Sequence, residues 1–457
     1  MKTPICDFVR NYSEQNALRL HMPGHKGQPL LGMEHLDLTE IEGADSLYEA
    51  TGIIRESEKN ASALFGSAST FYSAEGSSLC IRAMLYLAKC EAQRNGKDIR
   101  ILAARNVHKT FLTAAALLDI QPEWLLPAQN ASYLSCPIDT AALETRLAAG
   151  DVTAVYLTSP DYLGNCTDIA SVARICHRYG ALLLVDNAHG AYLKFLQPSR
   201  HPLDLGADLC CDSAHKTLPA LTGAAYLHLS SHAPAWMAED ARHALSLFGS
   251  TSPSYLILQS LDSVNAYLAN GFAEALATYV AEVEALKARL SSLGFSLVGN
   301  EPLKLTVAPK SYGYTGEELA AYLSKNSIVC EFSDPDFVVL MLACTLPKDA
   351  LSGLENILTD LPRKAPICDT PPVLTALPTR TCSIRDTLFC AHETLPLEKA
   401  RGRILASLHV ACPPAVPIAV AGEELNDEAI ALFTYYGKAT CDVLCVSPST
   451  KRNDETN

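Results

Sequence analysis

Between Thr70 and Ser230, short apolar runs alternate with segments that are apolar along one helical face. Runs such as ALLLVD (181–186) and AVYLT (154–158) place leucine or β-branched residues at successive positions, the pattern of strands buried on both sides. FYSA (71–74), IRILAA (99–104), EWLLPA (123–128), LCCD (209–212) and GAAYLHLS (223–230) complete the strand-like set. Between them, LCIRAMLYLAKCEA (79–92) and IASVARICHRYG (169–180) repeat apolar residues at helical spacing. Strands separated by helices predict a mostly parallel sheet covered on both faces. Ligands are then expected beyond the carboxyl ends of the strands.

After Pro253 the pattern changes. Residues 255–294 read as one long helical stretch, and 295–298, 303–308 and 337–344 read as strands around a helix over 316–325. Leu361–Arg380 carries five prolines and reads as an extended linker. A last helix is predicted near 427–436, and the polar tail 449–457 reads as a frayed end. The expected division is an N-terminal arm (1–45), a large α/β domain (46–254), a small α+β domain (255–361), the linker (362–380) and a C-terminal domain (381–457).

Composition narrows the partners. The 457 residues are 48% hydrophobic and 19% charged, enough apolar material for packed cores and too much for a disordered chain. The charge sum of 36 − 50 = −14 disfavours nucleic acid, whose phosphates need a basic surface. No apolar run approaches the roughly 18–20 residues that span a bilayer, and MKTPICDFVR lacks the apolar core of a signal peptide. Sixteen cysteines occur without a C-x-x-C pair, so free thiols in a reducing cytosol are expected rather than disulfides or a metal site. A soluble cytoplasmic protein is the reading.

Four stretches carry candidate chemistry. In LCCDSAHKTLPALTG, Lys216 follows an apolar strand; it either snorkels from the strand end or is an amine tuned to form a Schiff base with a carbonyl cofactor. Asp186 ends ALLLVD; it is either a turn residue or the carboxylate that keeps a pyridine nitrogen protonated. Gly76-Ser77-Ser78 precede a helix, where hydroxyls and free N–H groups serve equally as ordinary capping or as an anion cradle. His108, in RNVHK after another strand, is either a polar loop residue or a ring laid against a planar cofactor.

Taken together and in order, the motifs resemble the pyridoxal-phosphate-dependent Orn/Lys/Arg decarboxylases in their short biosynthetic form. The resemblance rests on LRLHMPGHKG (18–27), DSLYEATGIIRESEKNASALFGS (45–67), RNVHK, LTSPDYLGN, VDNAHGA, SAHKTLPALTG, STSPSY and GRILASLHVACPPAVPIAVAGE (402–423). It implies the aspartate-aminotransferase fold (PLP fold type I), with a mostly parallel seven-stranded sheet and smaller C-terminal α+β domains. It implies pyridoxal 5'-phosphate as cofactor and decarboxylation of lysine, ornithine or arginine for polyamine biosynthesis. Lys216 would be the Schiff-base lysine, Asp186 the partner of the pyridine nitrogen and His108 the stacking ring. Gly76, Ser77, Ser78, Ser213 and His215 would hold the phosphate or its surroundings, and His189 would lie beside the cofactor. With the active site at a homodimer interface, Thr251 would reach the neighbouring subunit's phosphate, and Glu423 would recognise the distal cation of the substrate.

The chain departs from the family pattern at three places. Glu75 replaces an asparagine, Asn187 and Tyr192 replace glutamate and histidine, and Cys412 and Ala415 replace the outer residues of Tyr-Pro-Pro-Gly. These changes read as an altered substrate-side wall around intact cofactor machinery. Two other readings stand beside decarboxylation. Transamination would use a carboxylate clamp such as Arg401 or Arg403, and a non-catalytic paralogue would keep the cofactor residues without turnover.

Overall fold

The computed structural model describes residues 1–126, 132–407 and 414–445. Its central sheet has seven strands: β1 (Ser69–Ser73), β2 (Ile101–Ala104), β3 (Glu123–Leu125), β4 (Ala154–Thr158), β5 (Leu182–Asp186), β6 (Leu209–Asp212) and β7 (Ala225–Leu229). Their order is β1-β7-β6-β5-β4-β2-β3, and only β7 runs antiparallel to its neighbours. Successive side chains of a strand point to opposite faces. Leu182 and Leu184 accordingly join the core under helix Gly76–Arg94, while Leu183 and Val185 join the core under helices Thr140–Leu147 and Ile169–Arg178. Burial on both faces is why these strands are continuously apolar.

The second unit is a four-stranded antiparallel sheet of β8 (Ser296–Val298), β9 (Lys304–Ala308), β10 (Phe332–Ser333) and β11 (Val338–Met341), ordered β10-β11-β9-β8. Helix Gly316–Lys325 lies where the sequence predicts it and opens with a Thr315/Glu318 capping box. The expected single helix over 255–294 is instead two, Tyr255–Ala269 and Phe272–Ser292. Gly271 (φ +73°) takes a left-handed conformation that a continuous helix cannot hold. Helix Pro4–Glu14 is anchored to the first of these by Asp262, whose carboxylate accepts the N–H groups of Ile5 and Cys6 at 3.0 Å each.

Residues 361–379 form neither helix nor strand. Beyond them come helix Ile384–Phe389, the antiparallel pair β12 (His392–Pro396) and β13 (Thr440–Leu444), and helix Asp427–Tyr435. No helix among the described residues is long and apolar enough to cross a membrane. All described cysteines are free.

Candidate active site

Because β7 is antiparallel to both β1 and β6, those two strands run the same way, and so do β5 and β2. Their carboxyl ends share one edge of the sheet, where the segments following each strand collect.

Asp186 closes β5 with its side chain buried. Its partners are weak or neutral: the Ala188 N–H donates at 3.2 Å, the Tyr156 hydroxyl at 3.4 Å and the Cys211 thiol at 3.6 Å. Burial pushes its pKa up, against the opposing pull of the Lys216 charge.

Lys216 lies one turn past the end of β6, on the short helix Ala214–Thr217 rather than on the strand itself. Its Nζ is 3.1 Å from Nε2 of the buried His189. The other nitrogen of that ring, Nδ1, is 3.3 Å from the Nζ of Lys304, and Tyr162 packs edge-on against the ring at 5.3 Å. Burial, then Lys216 and Lys304, hold the His189 pKa well below the ordinary imidazole value.

The candidate anion cradle begins at the end of β1. Helix Gly76–Arg94 starts without a side-chain cap, Gly76 has φ +69°, and a Cβ placed there would meet open space. The Gly76 N–H donates to the Gly223 carbonyl at 2.7 Å, and the N–H groups of Ser77 and Ser78, without a partner among the described residues, are left for a ligand. The Ser213 hydroxyl donates to Ser77 Oγ at 2.9 Å, which ties the β6 segment to this turn. Ser78 pairs with the Thr110 hydroxyl at 3.0 Å, and that hydroxyl meets His108 Nδ1 at 2.9 Å. His108 caps helix Lys109–Leu118 by accepting the Thr110 N–H at 3.1 Å. Burial, then the Lys216 charge, lower its pKa to about 3, so the ring stays neutral. His215 Nδ1 lies 2.9 Å from the Ala224 carbonyl, which only accepts; the proton is therefore on Nδ1.

The remaining sequence candidates fall elsewhere. Thr251 is exposed, on a loop held to the cradle by the Ser250 N–H donating to Glu75 at 2.5 Å. Glu423 is buried against Arg105 at 2.7 Å and accepts the Val420 N–H at 2.7 Å.

Two departures assigned to the substrate wall are corrected by the structure. Asn187 is fully buried and donates to Asp212 at 2.7 Å, and Tyr192 is buried with its hydroxyl on Glu301, so both face internal partners. Cys412 lies outside the described residues. Ala415 takes the left-handed conformation (φ +57°) that the family's glycine would adopt freely, and its carbonyl accepts the Lys109 N–H at 2.8 Å.

Two features were missed in the sequence. Lys304, in the run LKLTVA (303–308), is only 3% exposed; a lysine between leucines of a buried strand was the available signal. His201, Cys210 and Asp212 come together in the core, where Asp212 accepts from His201 at 2.9 Å and from His228 at 3.3 Å. The protein's own hydrogen bonds occupy that carboxylate.

Comparison with known proteins points one way. Residues 3–297 match the model of the Orn/Lys/Arg decarboxylase major domain, and residues 378–442 match that of its C-terminal domain. The chain is 31% identical to the uncharacterized protein YaaO of Bacillus subtilis, over 94% of this chain and 93% of that one. It is 27% identical to an arginine decarboxylase of the same organism, over 94% and 92% respectively. Among solved structures, lysine decarboxylase A from Pseudomonas aeruginosa superposes with a TM-score of 0.80, covering 97% of this chain and 80% of that one at 17% identity. The lysine decarboxylase of Francisella novicida gives 0.78 at 15% identity, covering 97% and 81%. At those identities the likeness is one of fold.

Proposed function

The chain belongs to the Orn/Lys/Arg decarboxylase family, and on that premise we propose that it is a pyridoxal-phosphate-dependent enzyme removing the α-carboxylate of lysine, ornithine or arginine. One observation carries the reading: Asp186, Lys216 and the uncapped start of helix Gly76–Arg94 meet at one edge of one sheet.

The residues fit the cofactor. Asp186 is a buried carboxylate with only weak partners, and a protonated ring nitrogen would supply the cation its burial calls for. The first turn of helix Gly76–Arg94, with Ser77 and Ser78, suits a phosphate by its free N–H groups and its dipole. Bound there, the cofactor supplies an electron sink for the pair left when the carboxylate departs.

Each residue then has a task. Asp186 keeps the proton on the ring nitrogen. Lys216 supplies the amine that holds the cofactor's aldehyde, and His189, 3.1 Å away, gives or takes the proton of that amine. His108, uncharged, offers its ring to the planar cofactor without competing for the charge of Asp186. Ser213 fixes Ser77, and His215 braces the Lys216 turn against Ala224. Glu423 enters as the partner of Arg105. A second copy of the chain completes the site in this proposal. Thr251 is exposed beside the cradle, and Leu18, Leu20, Leu30 and Leu31 are exposed along the N-terminal arm, where a partner would cover them. The cytoplasm, with polyamine synthesis, is the expected setting.

The test is product analysis of the purified protein with pyridoxal phosphate and each of the three amino acids. Cadaverine, putrescine or agmatine is expected from one of them and from none with Lys216→Ala. A keto acid in place of an amine, or an amine from Lys216→Ala at the unmutated rate, would overturn the proposal.

A further inference from the structure

One buried cation at the site has no task so far. Lys304 reaches in from β9 of the second sheet, and its Nζ has three hydrogen-bonding neighbours among the described residues: the carbonyls of Asp161 at 3.2 Å and Tyr162 at 3.4 Å, and His189 Nδ1 at 3.3 Å. Carbonyl oxygens only accept, so two Lys304 N–H groups are committed. An ammonium has a third N–H, and Nδ1 is the acceptor left for it. The ring proton of His189 is then on Nε2, 3.1 Å from Lys216 Nζ. An N–H facing an amine needs a lone pair to point at, and only an uncharged amine has one.

The reverse state is equally complete. A neutral Lys304 keeps two N–H groups for the two carbonyls and offers its lone pair to Nδ1–H, while Nε2 accepts from a protonated Lys216. Passing between the states moves one proton from Lys216 Nζ to Nε2 as another moves from Nδ1 to Lys304 Nζ. No charge is created or lost.

We propose that Lys304, acting through His189, is the positioning residue that sets the protonation of Lys216: the two amines share one excess proton, which rests on Lys304 when Lys216 reacts. The proposal rests on the reading of Lys216 as the cofactor-holding amine. The groups around the pair divide by sign. Glu301 and Asp161 favour the Lys304 ammonium, with Cys166 adding to them if ionised. Burial and Lys216 oppose it. On the other side of the ring, Asp186 interacts with the Lys216 charge and favours that ammonium, while His108 and His215 add no positive charge, because both have lowered pKa values. Asp161 is itself tied up by Asn165, whose N–H groups donate to it at 2.9 Å each.

The experiment uses the full-length protein stripped of cofactor. Lys216 is labelled with trace acetic anhydride across pH, and its modification is read by peptide mass spectrometry. Lys304→Met should raise the labelling midpoint of Lys216 by about one pH unit, so that near neutrality it labels about tenfold more slowly. In a His189→Ala background only the direct repulsion between the two amines remains, so the same substitution should shift the midpoint by clearly less. Lys304→Gln, which keeps N–H donors for the two carbonyls but lacks the charge, should behave like Lys304→Met and covers the case in which methionine is not tolerated. An unchanged midpoint would overturn the proposal, as would an equal shift in the His189→Ala background, because that would be direct charge repulsion. Borohydride reduction of the cofactor-loaded protein and mapping of the adduct test the underlying reading separately. An adduct away from Lys216 would sink that reading while leaving the measured amine coupling intact.

Discussion

Glu423→Gln removes one negative charge from a pair whose side chains are 2% and 7% exposed, and the Arg105 guanidinium left behind has no water to turn to. The carboxylate takes two bonds, from Arg105 and from the Val420 N–H, both 2.7 Å. Glutamine can keep the second but cannot neutralise the first. Arg105 is poorly placed to compensate, since its Nε and Nη1 are already buried without partners among the described residues. Its remaining support is the Ile418 carbonyl at 3.4 Å and the face of Trp124 at 4.9 Å, the latter a cation–π contact of about 1 kcal/mol. Breaking a buried pair from one side costs about 3–5 kcal/mol, and that loss is expected here. Arg105→Met added to Glu423→Gln removes the stranded charge and should restore most of it. The assay is urea unfolding followed by the fluorescence of Trp124 in a Trp236→Phe background, which leaves Trp124 as the sole tryptophan of a chain with two. A loss below about 1 kcal/mol, or a double variant as unstable as the single, would refute the reasoning. A raised KM for a basic amino acid at unchanged stability would instead assign Glu423 to the substrate.

Three further outcomes are expected. Asp186→Asn keeps the Tyr156 and Ala188 neighbours but cannot hold a ring proton; kcat should fall by about 10²–10⁴-fold with an unchanged circular dichroism spectrum, and a loss under tenfold would contradict the assigned role. Gly223→Ala places a Cβ 2.9 Å from the Ala74 carbonyl at a backbone φ of +98°, next to the turn whose Gly76 N–H donates to the Gly223 carbonyl at 2.7 Å. Phosphate-dependent cofactor retention should weaken, as equilibrium dialysis would show. Burial pushes the Asp334 pKa up to about 7, with Asp336 and Glu317 adding to it against two backbone N–H bonds. A carboxyl raised in the folded state favours folding most below its ordinary value and loses that advantage as pH rises to about 7. Thermal stability should therefore decline between about pH 4 and 7, and Asp334→Asn should flatten that decline and exceed wild type at pH 8; parallel curves for the two proteins would contradict it.

The α/β half was legible because its strands are covered on both sides. Leu182 through Val185 cannot be read as a one-faced strand or an amphipathic helix, and the segments between them have a clear helical period. The C-terminal strands were not legible: β12 is HETLP, largely exposed and without an apolar alternation. Helix Pro4–Glu14 buries only Ile5 and Val9, too thin a stripe to stand out. At the site, Asp186, His108 and Lys216 were legible because each sits at the boundary of an apolar run. Lys304 was not, because its meaning comes from His189, 115 positions away in the turn that follows a strand of the other sheet. The same holds for Asn187, whose change makes sense only beside Asp212, 25 residues later.

The insertion of β7 between β1 and β6 also dictates a schedule for the emerging chain. β1 ends at Ser73, yet its only strand partner among the described residues is β7, which begins at Ala225. Throughout the translation of everything between them, the β1 backbone groups that pair with β7 lack their partners, and the turn carrying Gly76 lacks the Gly223 carbonyl that fixes it. The ribosome must therefore deliver residue 229 before the turn carrying Gly76 can take its final shape. Chains released earlier would carry an open, apolar sheet edge of the kind that recruits other chains and chaperones.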